Sequence, residues 1–382
     1  TTTPANDQYS TPARGYGLNA AWQWTQGPVA LEVGADARLT DGTEREKFRF
    51  QNGVFTRLRE AGGKTSVAGA YAEAAIDQGP WLVTGGVRLD RSRAYDARRL
   101  ELDAQTGATT LNTSAPNRSD TTPTGRLGVR YQAAEGVHVR AAAYAGFRPP
   151  TLNELHRPFR VGNDITEANP TLKPETLQGL EAGLDGEGPF HWRTTVFYNR
   201  LKDPITNVTI GVGPGTFPNA GFVPAGGTLR QRRNAGEIEA WGVEGEAFGE
   251  VAQALSWRAA FAYTDAEVNG GSAVPQLDGL RPAQTPKWTV TGGLEWRVTQ
   301  AVRLATDVRY ESMRFEDDLN SRRLGAGVQV DARATWRFAP DLEVFLAAEN
   351  LTDETLEVGE TADGTESYSA PRTLRVGLTL RR

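Results

Sequence analysis

The sequence predicts an all-β protein, a transmembrane antiparallel β-barrel wall. Three observations carry this: apolar and polar residues alternate with a period of two, the alternating segments run about ten residues, and the joints between them are short and long in turn. The clearest segment is Val137–Arg148. There Val137, Val139, Ala141, Ala143, Ala145 and Phe147 fall on one face, and His138, Arg140, Ala142, Tyr144, Gly146 and Arg148 on the other. Helical spacing does not fit it, and ten residues is close to what a tilted strand needs to cross a bilayer.

In chain order, Trp22 and Trp24 close a first segment ahead of the turn Gln26-Gly27-Pro28, and Val29–Thr40 alternates up to a polar connection near 41–62. The turn Gln78-Gly79-Pro80 leads to Trp81–Asp90 and a connection near 93–123; Ala134-Glu135-Gly136 then leads to Val137–Arg148 and the connection 149–174. Gly186-Glu187-Gly188-Pro189 precedes Phe190–Asn199 and the connection 203–234, and a turn near Val251 precedes Leu255–Thr264 and the connection 268–285. Trp288–Arg297, the turn Thr299-Gln300, Val302–Glu311 and the connection 315–323 follow. Val328–Arg337, the turn Ala339-Pro340, the connection 352–370 and Thr373–Arg381 complete a set of about fifteen strands.

An up-and-down meander puts alternate joints on opposite rims, so one rim carries tight turns and the other large loops. A soluble sandwich has no reason to sort its loops this way. Aromatic residues at segment ends, among them Trp81, Trp192, Trp257, Trp288, Trp296, Trp336 and Phe338, suit interfacial girdles. The opposite face carries Arg126, Arg130, Arg303, Asp307, Arg309, Gln329, Asp331, Arg333 and Arg337. So many ions in a dry core would cost several kcal/mol each, which predicts a wet or plugged lumen.

Composition narrows the function classes. The 382 residues are 38% hydrophobic, with 42 Gly and no Cys, so thiol catalysis, disulfides and thiolate metal sites are excluded. His138, His156 and His191 are far apart in sequence and form no paired-imidazole metal motif. A net charge of -5 with dispersed Lys and Arg gives no footprint for nucleic acid. No apolar run is long enough for a membrane-spanning helix. Ser, His and Asp occur, but nowhere in a recognisable nucleophile setting, so the sequence predicts no enzyme, no catalytic residue and no cofactor.

Phe147-Arg148-Pro149-Pro150-Thr151-Leu152-Asn153-Glu154-Leu155, followed by Asn169-Pro170-Thr171-Leu172-Lys173-Pro174-Glu175, resembles the strand end and loop of TonB-dependent outer-membrane receptors. Asn234 to Glu244 resembles their next recurrent strand, and Ala348 to Asp353 with Pro371-Arg372-Thr373 resembles their last hairpin. The resemblance implies a barrel of about 22 strands in the outer membrane of a Gram-negative bacterium, filled by an amino-terminal plug and driven by the TonB complex. It also implies uptake of a scarce, bulky nutrient of the ferric siderophore, haem or cobalamin class. The alternative is a passive porin-like channel.

Against that pattern, residues 1–14 are expected to be the remnant of an outer loop and residues 15–382 a partial barrel without a plug domain. Fifteen antiparallel strands leave the first and last running in the same direction, so two unpaired edges would face lipid. The expected partners are therefore the plug and about seven further strands, supplied by the same gene product or a second chain. Outer-membrane lipid and lipopolysaccharide are expected partners too.

For the ligand, the connection 149–174 offers His156, Arg157, Arg160 and Asn163 with Asp164 and Glu167, a set able to meet an anionic chelate. In haem-receptor relatives a His lies between similar boxes, and His156 occupies that interval. The clusters Arg230, Arg232, Arg233 and Arg322, Arg323 are further candidates for carboxylates or phosphates. These loop residues are expected to be exposed. The acidic stretches Glu316-Asp317-Asp318 and 353–366 match no calcium loop.

Overall fold

A computed structural model describes residues 6–381. The stretch 1–14 therefore lies partly outside the described residues; within it, Asn6–Ser10 forms a short strand.

Among the described residues, fifteen long strands build the wall. They are β1 (Ala13–Gln26), β2 (Val29–Gln51), β3 (Val54–Gln78), β4 (Trp81–Asp103), β5 (Arg118–Ala134), β6 (Val137–Arg148), β7 (Glu175–Gly186) and β8 (Phe190–Lys202). There follow β9 (Glu237–Ala252), β10 (Leu255–Asn269), β11 (Trp288–Arg297), β12 (Val302–Glu311), β13 (Gly327–Ala339), β14 (Leu342–Glu349) and β15 (Thr373–Leu380). Each pairs antiparallel with the next in one continuous meander. Among the described residues, β1 pairs only with β2 and β15 only with β14 within this meander.

Short and long joints alternate as the sequence predicts. On one rim, Gly27 and Gly79 take the left-handed backbone of tight turns, with φ of 58° and 60°. The opposite rim carries the long connections, but two of these are not loops. β2 and β3 run on to a turn at Asn52-Gly53, so 41–62 is the upper half of a hairpin, and β4 continues to Asp103. These extensions hold because alternate residues of the arms, Glu44, Glu46 and Phe48 facing Arg59 and Ala61, are buried beneath the outer loops.

Cross-strand register assigns the two faces. Val139 and Ala143 share a face with Leu127, Leu180 and Leu184, and Leu180 and Leu184 stay exposed at 58% and 41% although they are apolar. Arg140 and Tyr144 lie on the other face, where Arg140 meets Glu181 and Asp185, and Tyr144 Oη bonds Asn199 at 3.0 Å. Ion pairs of this kind line that face along the wall, as in Arg88 held between Asp36 and Asp90.

The apolar face is bounded by two aromatic belts. Trp22, Trp81, Trp192, Trp296 and Trp336 lie near the tight-turn rim, and Tyr16, Tyr198, Trp241 and Trp288 lie toward the loops. Six to eight residues separate the belts on β1, β8 and β11, roughly 20–27 Å along a strand, which suits an apolar band about 25 Å tall.

Candidate functional site

On the loop rim, the connection after β6 begins with a single helical turn, α1 (Leu152–His156). Thr151 caps it, with Glu154 returning a bond to the Thr151 N–H at 2.7 Å, a capping box. Arg148 at the end of β6 then grips Glu154 through both terminal nitrogens, at 2.9 and 3.0 Å, and Glu175 at the start of β7 through Nε at 2.6 Å. The loop is thereby closed at its base, and the pairing holds the Arg148 guanidinium above and the Glu154 carboxyl below their usual ranges.

The rest of the motif is structural as well. Asn169 Nδ2 donates to the Arg232 carbonyl at 2.9 Å, and the Asn169 N–H to the Glu154 carbonyl at 3.1 Å. Leu172 is buried and its carbonyl accepts from Arg118 at 3.0 Å. Phe147 and Pro149–Pro150 lead the chain from the wall into α1, Asn153 accepts the Arg157 N–H at its carbonyl, and Pro170 and Pro174 flank the return to β7.

Beyond α1, two connections join in a small sheet. Phe159–Val161 and Asp164–Glu167 come from the loop after β6; Ile205–Val212 and Thr228–Asn234 come from the loop after β8. Ile165, Val223 and Leu229 form its core. Between this sheet and the β2–β3 hairpin lies a cavity of about 730 Å³, within the range that holds small-molecule ligands. Phe48, Arg49, Arg59, Arg160, Asn163 and Phe222 are among the residues lining it.

Its electrostatics are unequal. Arg59 is buried and bonded to Glu46 and to Glu101, the latter at 2.8 Å, so its charge is spent within the protein. Arg49 and Arg160 are half-buried and form no ion pair among the described residues; Arg160 Nε bonds only the Gly162 carbonyl, at 2.9 Å. Burial lowers the affinity of both guanidiniums for their protons, yet arginine remains charged in proteins, so each presents to the cavity a cation without an ion pair among the described residues, the lining carboxylates Glu46 and Glu167 being held by Arg59 and Arg99.

The nine residues expected to meet ligand are thus dispersed. Arg160 and Asn163 line the large cavity, where Asn163 Nδ2 also donates to Asp363 at 3.1 Å. His156, expected to be exposed, is buried: it packs on Gly63 of β3, where a Cβ would sit 2.7 Å from its Nε2. That Nε2 has no hydrogen-bond partner among the described residues, and burial pushes the ring's pKa down to about 4. A smaller cavity of about 260 Å³ beside it is lined by Arg98, Arg99 and Glu167.

Arg157 is only partly exposed, bonding Glu44 at 3.2 Å and Gln8 at 2.8 Å. Arg230 pairs with Asp164 at 3.0 Å. Arg232 caps the carbonyls of Asn153 and Arg157, and Arg233 bonds Gln231 at 2.9 Å. Arg322 is half-buried below an Asp317 turn, and Arg323 is exposed beside it. Sequence reasoning missed Arg49, because 41–62 reads as a polar loop; its one signal is the flanking Phe48 and Phe50, apolar residues with no reason to sit in a solvated connection.

Residues 1–351 match the family described as "TonB dependent receptor-like, beta-barrel". The chain is 26% identical over 260 residues to the vitamin B12 transporter BtuB of Photobacterium profundum, covering 67% of this chain and 38% of that protein. It is 26% identical over 309 residues to the metal-pseudopaline receptor CntO of Pseudomonas aeruginosa, covering 78% of this chain and 38% of that protein. The fold matches that of the ferric yersiniabactin uptake receptor FyuA of Yersinia pestis with a TM-score of 0.74 at 17% identity, over 97% of this chain and 54% of that one. The chain thus spans well under half the length of the curated relatives it matches. With the family matched across most of its length and the meander, sorted rims and two-faced wall in place, the chain belongs to the TonB-dependent receptors, in their β-barrel domain.

Proposed function

We propose that this chain forms the wall and outer vestibule of a transporter in the outer membrane of a Gram-negative bacterium, which captures a bulky anionic nutrient chelate in the 730 Å³ cavity. The observation that carries the reading is the pair Arg49 and Arg160, two half-buried guanidiniums without an ion-paired carboxylate among the described residues, in a cavity of ligand size. Carboxylates or phosphates of a metal chelate would satisfy both. The cobalamin and metal-pseudopaline named for the two relatives belong to the same broad class of bulky metal complexes, which supports a chelate over a small solute and disfavours a passive porin. His156, Arg157 and Arg232 act by holding the vestibule together.

Receptors of this family carry an amino-terminal plug and couple to TonB. We propose that the same holds for the protein to which this wall belongs, and that its remaining strands pair with the edges of β1 and β15 left unpaired among the described residues. The experiment compares cells carrying the complete receptor, wild type against Arg49→Gln/Arg160→Gln, for binding of ferric siderophores, haem and cobalamin. Loss of roughly tenfold or more in affinity for one anionic chelate is expected from two charge-assisted contacts. Unchanged binding of the chelate taken up by the wild type would remove this cavity from the site.

A further inference from the structure

The apolar face of β4 ends abruptly. Outward-facing Val87 and Leu89 are 68% and 55% exposed, and the next two residues on that face are Arg91 and Arg93. Both are exposed, and neither forms an ion pair or a side-chain hydrogen bond among the described residues. The neighbouring positions carry no acid: Arg91 stands between Ala68 and Thr121, and Arg93 between Ser66 and Ser119. The nearby Asp90 belongs to the opposite face, where Arg88 holds it, and Asp120 alternates to that face as well. One step higher, Lys64 is already paired with Asp96 at 2.9 Å.

The level of these two residues along the wall matters. In the strand register Arg91 stands level with Ala68 on β3 and Ala37 on β2, and Arg93 with Ser66 and Leu39, so the apolar band ends within two outward-facing steps of them: after Ala68 comes Ser66, after Leu39 comes Asp41, and Tyr16 on β1 gives way to Arg14. Arg91 and Arg93 thus sit at the outer margin of the apolar band, where an outer-membrane wall passes from acyl chains to headgroups. Two residues apart on one strand face, they stand about 7 Å from each other. Three hydroxyls, of Ser66, Ser119 and Thr121, flank them at cross-strand distance. Here the neighbours are donors, and every group in the patch offers a hydrogen to an anion.

We propose that Arg91 and Arg93, with Ser66, Ser119 and Thr121, bind the phosphate of an outer-leaflet lipid headgroup. The inference rests on the reading of the wall as an outer-membrane barrel, and it is independent of the ligand cavity. Forked guanidinium–phosphate pairing supplies the contact, and the exposed Val87 and Leu89 directly below receive the acyl chains. That adjoining apolar surface favours a lipid over free phosphate, which has nothing to place on it.

The test is native mass spectrometry of the complete receptor in detergent with bisphosphorylated lipid A, the same lipid dephosphorylated, or inorganic phosphate. Wild type should retain the bisphosphorylated lipid at least several-fold more than the dephosphorylated one. Arg91→Gln/Arg93→Gln should abolish that preference while keeping heat-modifiable migration, the mark of an assembled barrel. Thr121→Glu, which removes no arginine but places a carboxylate opposite Arg91, should lower retention as well. Equal retention of both lipids by wild type, or an unchanged preference in the assembled double variant, would overturn the proposal. So would displacement of the lipid by millimolar inorganic phosphate, which would mark a bare anion site. Failure of lipid retention with chelate binding intact would sink this inference and leave the transport reading standing.

Discussion

Arg148 holds Glu154 by a two-point fork, with Nη1 and Nη2 at 2.9 and 3.0 Å from the two carboxylate oxygens. One residue ends a wall strand and the other closes the first turn of α1, so the fork welds the outer loop to the barrel. Nε adds Glu175 at 2.6 Å, and Glu175 in turn accepts the Ile205 N–H at 2.5 Å. The guanidinium thereby ties β6, α1 and β7 together, and Glu175 extends the tie to a fourth segment, the loop after β8.

Lysine cannot reproduce that fork, because its ammonium is a single point of charge. Arg148→Lys should therefore loosen the base of the loop by about 1–2 kcal/mol, the upper value being tempered by the partial exposure of Arg148. Hydrogen exchange in the assembled receptor should show faster exchange across 152–157, with the amides of β6 below Tyr144 unchanged. Protection of α1 equal to wild type would show that the capping box alone holds it.

The second prediction concerns the two faces of β6. Ala143 lies between Leu127 and Leu180 on the apolar face, whereas Tyr144 points the other way and bonds Asn199. An arginine on the lipid face near the midplane costs roughly 2–4 kcal/mol, and a lumen-facing arginine joins a face that already carries Arg126, Arg140 and Glu181. Ala143→Arg should reduce the heat-modifiable, folded fraction far more than Tyr144→Arg. The opposite order on the gel would mean the faces are exchanged.

The wall was legible because its signals are local: period two, ten-residue length and sorted turns are all properties of a single strand and its neighbour. The faces followed for the same reason, since Val139 and Arg140 need only their own alternation. The vestibule was less legible, because its residues are buried by partners distant in sequence. Glu44, Glu46 and Arg59 read as a solvated charged loop, yet Arg59 pairs with Glu46 and shares Glu101 with Arg99, so these charges are tolerated in the buried arms of the hairpin. His156 looked like an exposed loop histidine because nothing near it in sequence announces Gly63, the strand position without a side chain on which its ring packs. The Arg49 and Arg160 juxtaposition joins residues 111 positions apart and needed the tertiary structure.

The last prediction uses two groups that titrate in opposite senses at one contact. Burial, reinforced by Glu46 and opposed by Arg157, pushes the Glu44 carboxyl up to about 7, and burial pushes the His156 imidazole down to about 4. A carboxyl raised in the fold favours the folded contact when protonated, so its contribution is full below about 4.5 and is lost as pH rises through about 7. An imidazole depressed in the fold acts the other way: its contribution is full above about 6.5 and is lost as pH falls toward 4. Between pH 7 and 4.5 the two offset, and the docking of α1 on the β2–β3 hairpin should change little with pH in the wild type. Each variant should expose the other group. In His156→Gln, protection of the amides 152–157 should rise as pH falls from 7 to 4.5, because only Glu44 then titrates. In Glu44→Gln, protection should fall as pH drops from 6.5 to 5, a window in which His156 acts before the depressed Glu154 carboxyl does. Exchange rates corrected for intrinsic pH dependence supply the measurement, and parallel profiles in the two variants would show that these groups do not govern the contact.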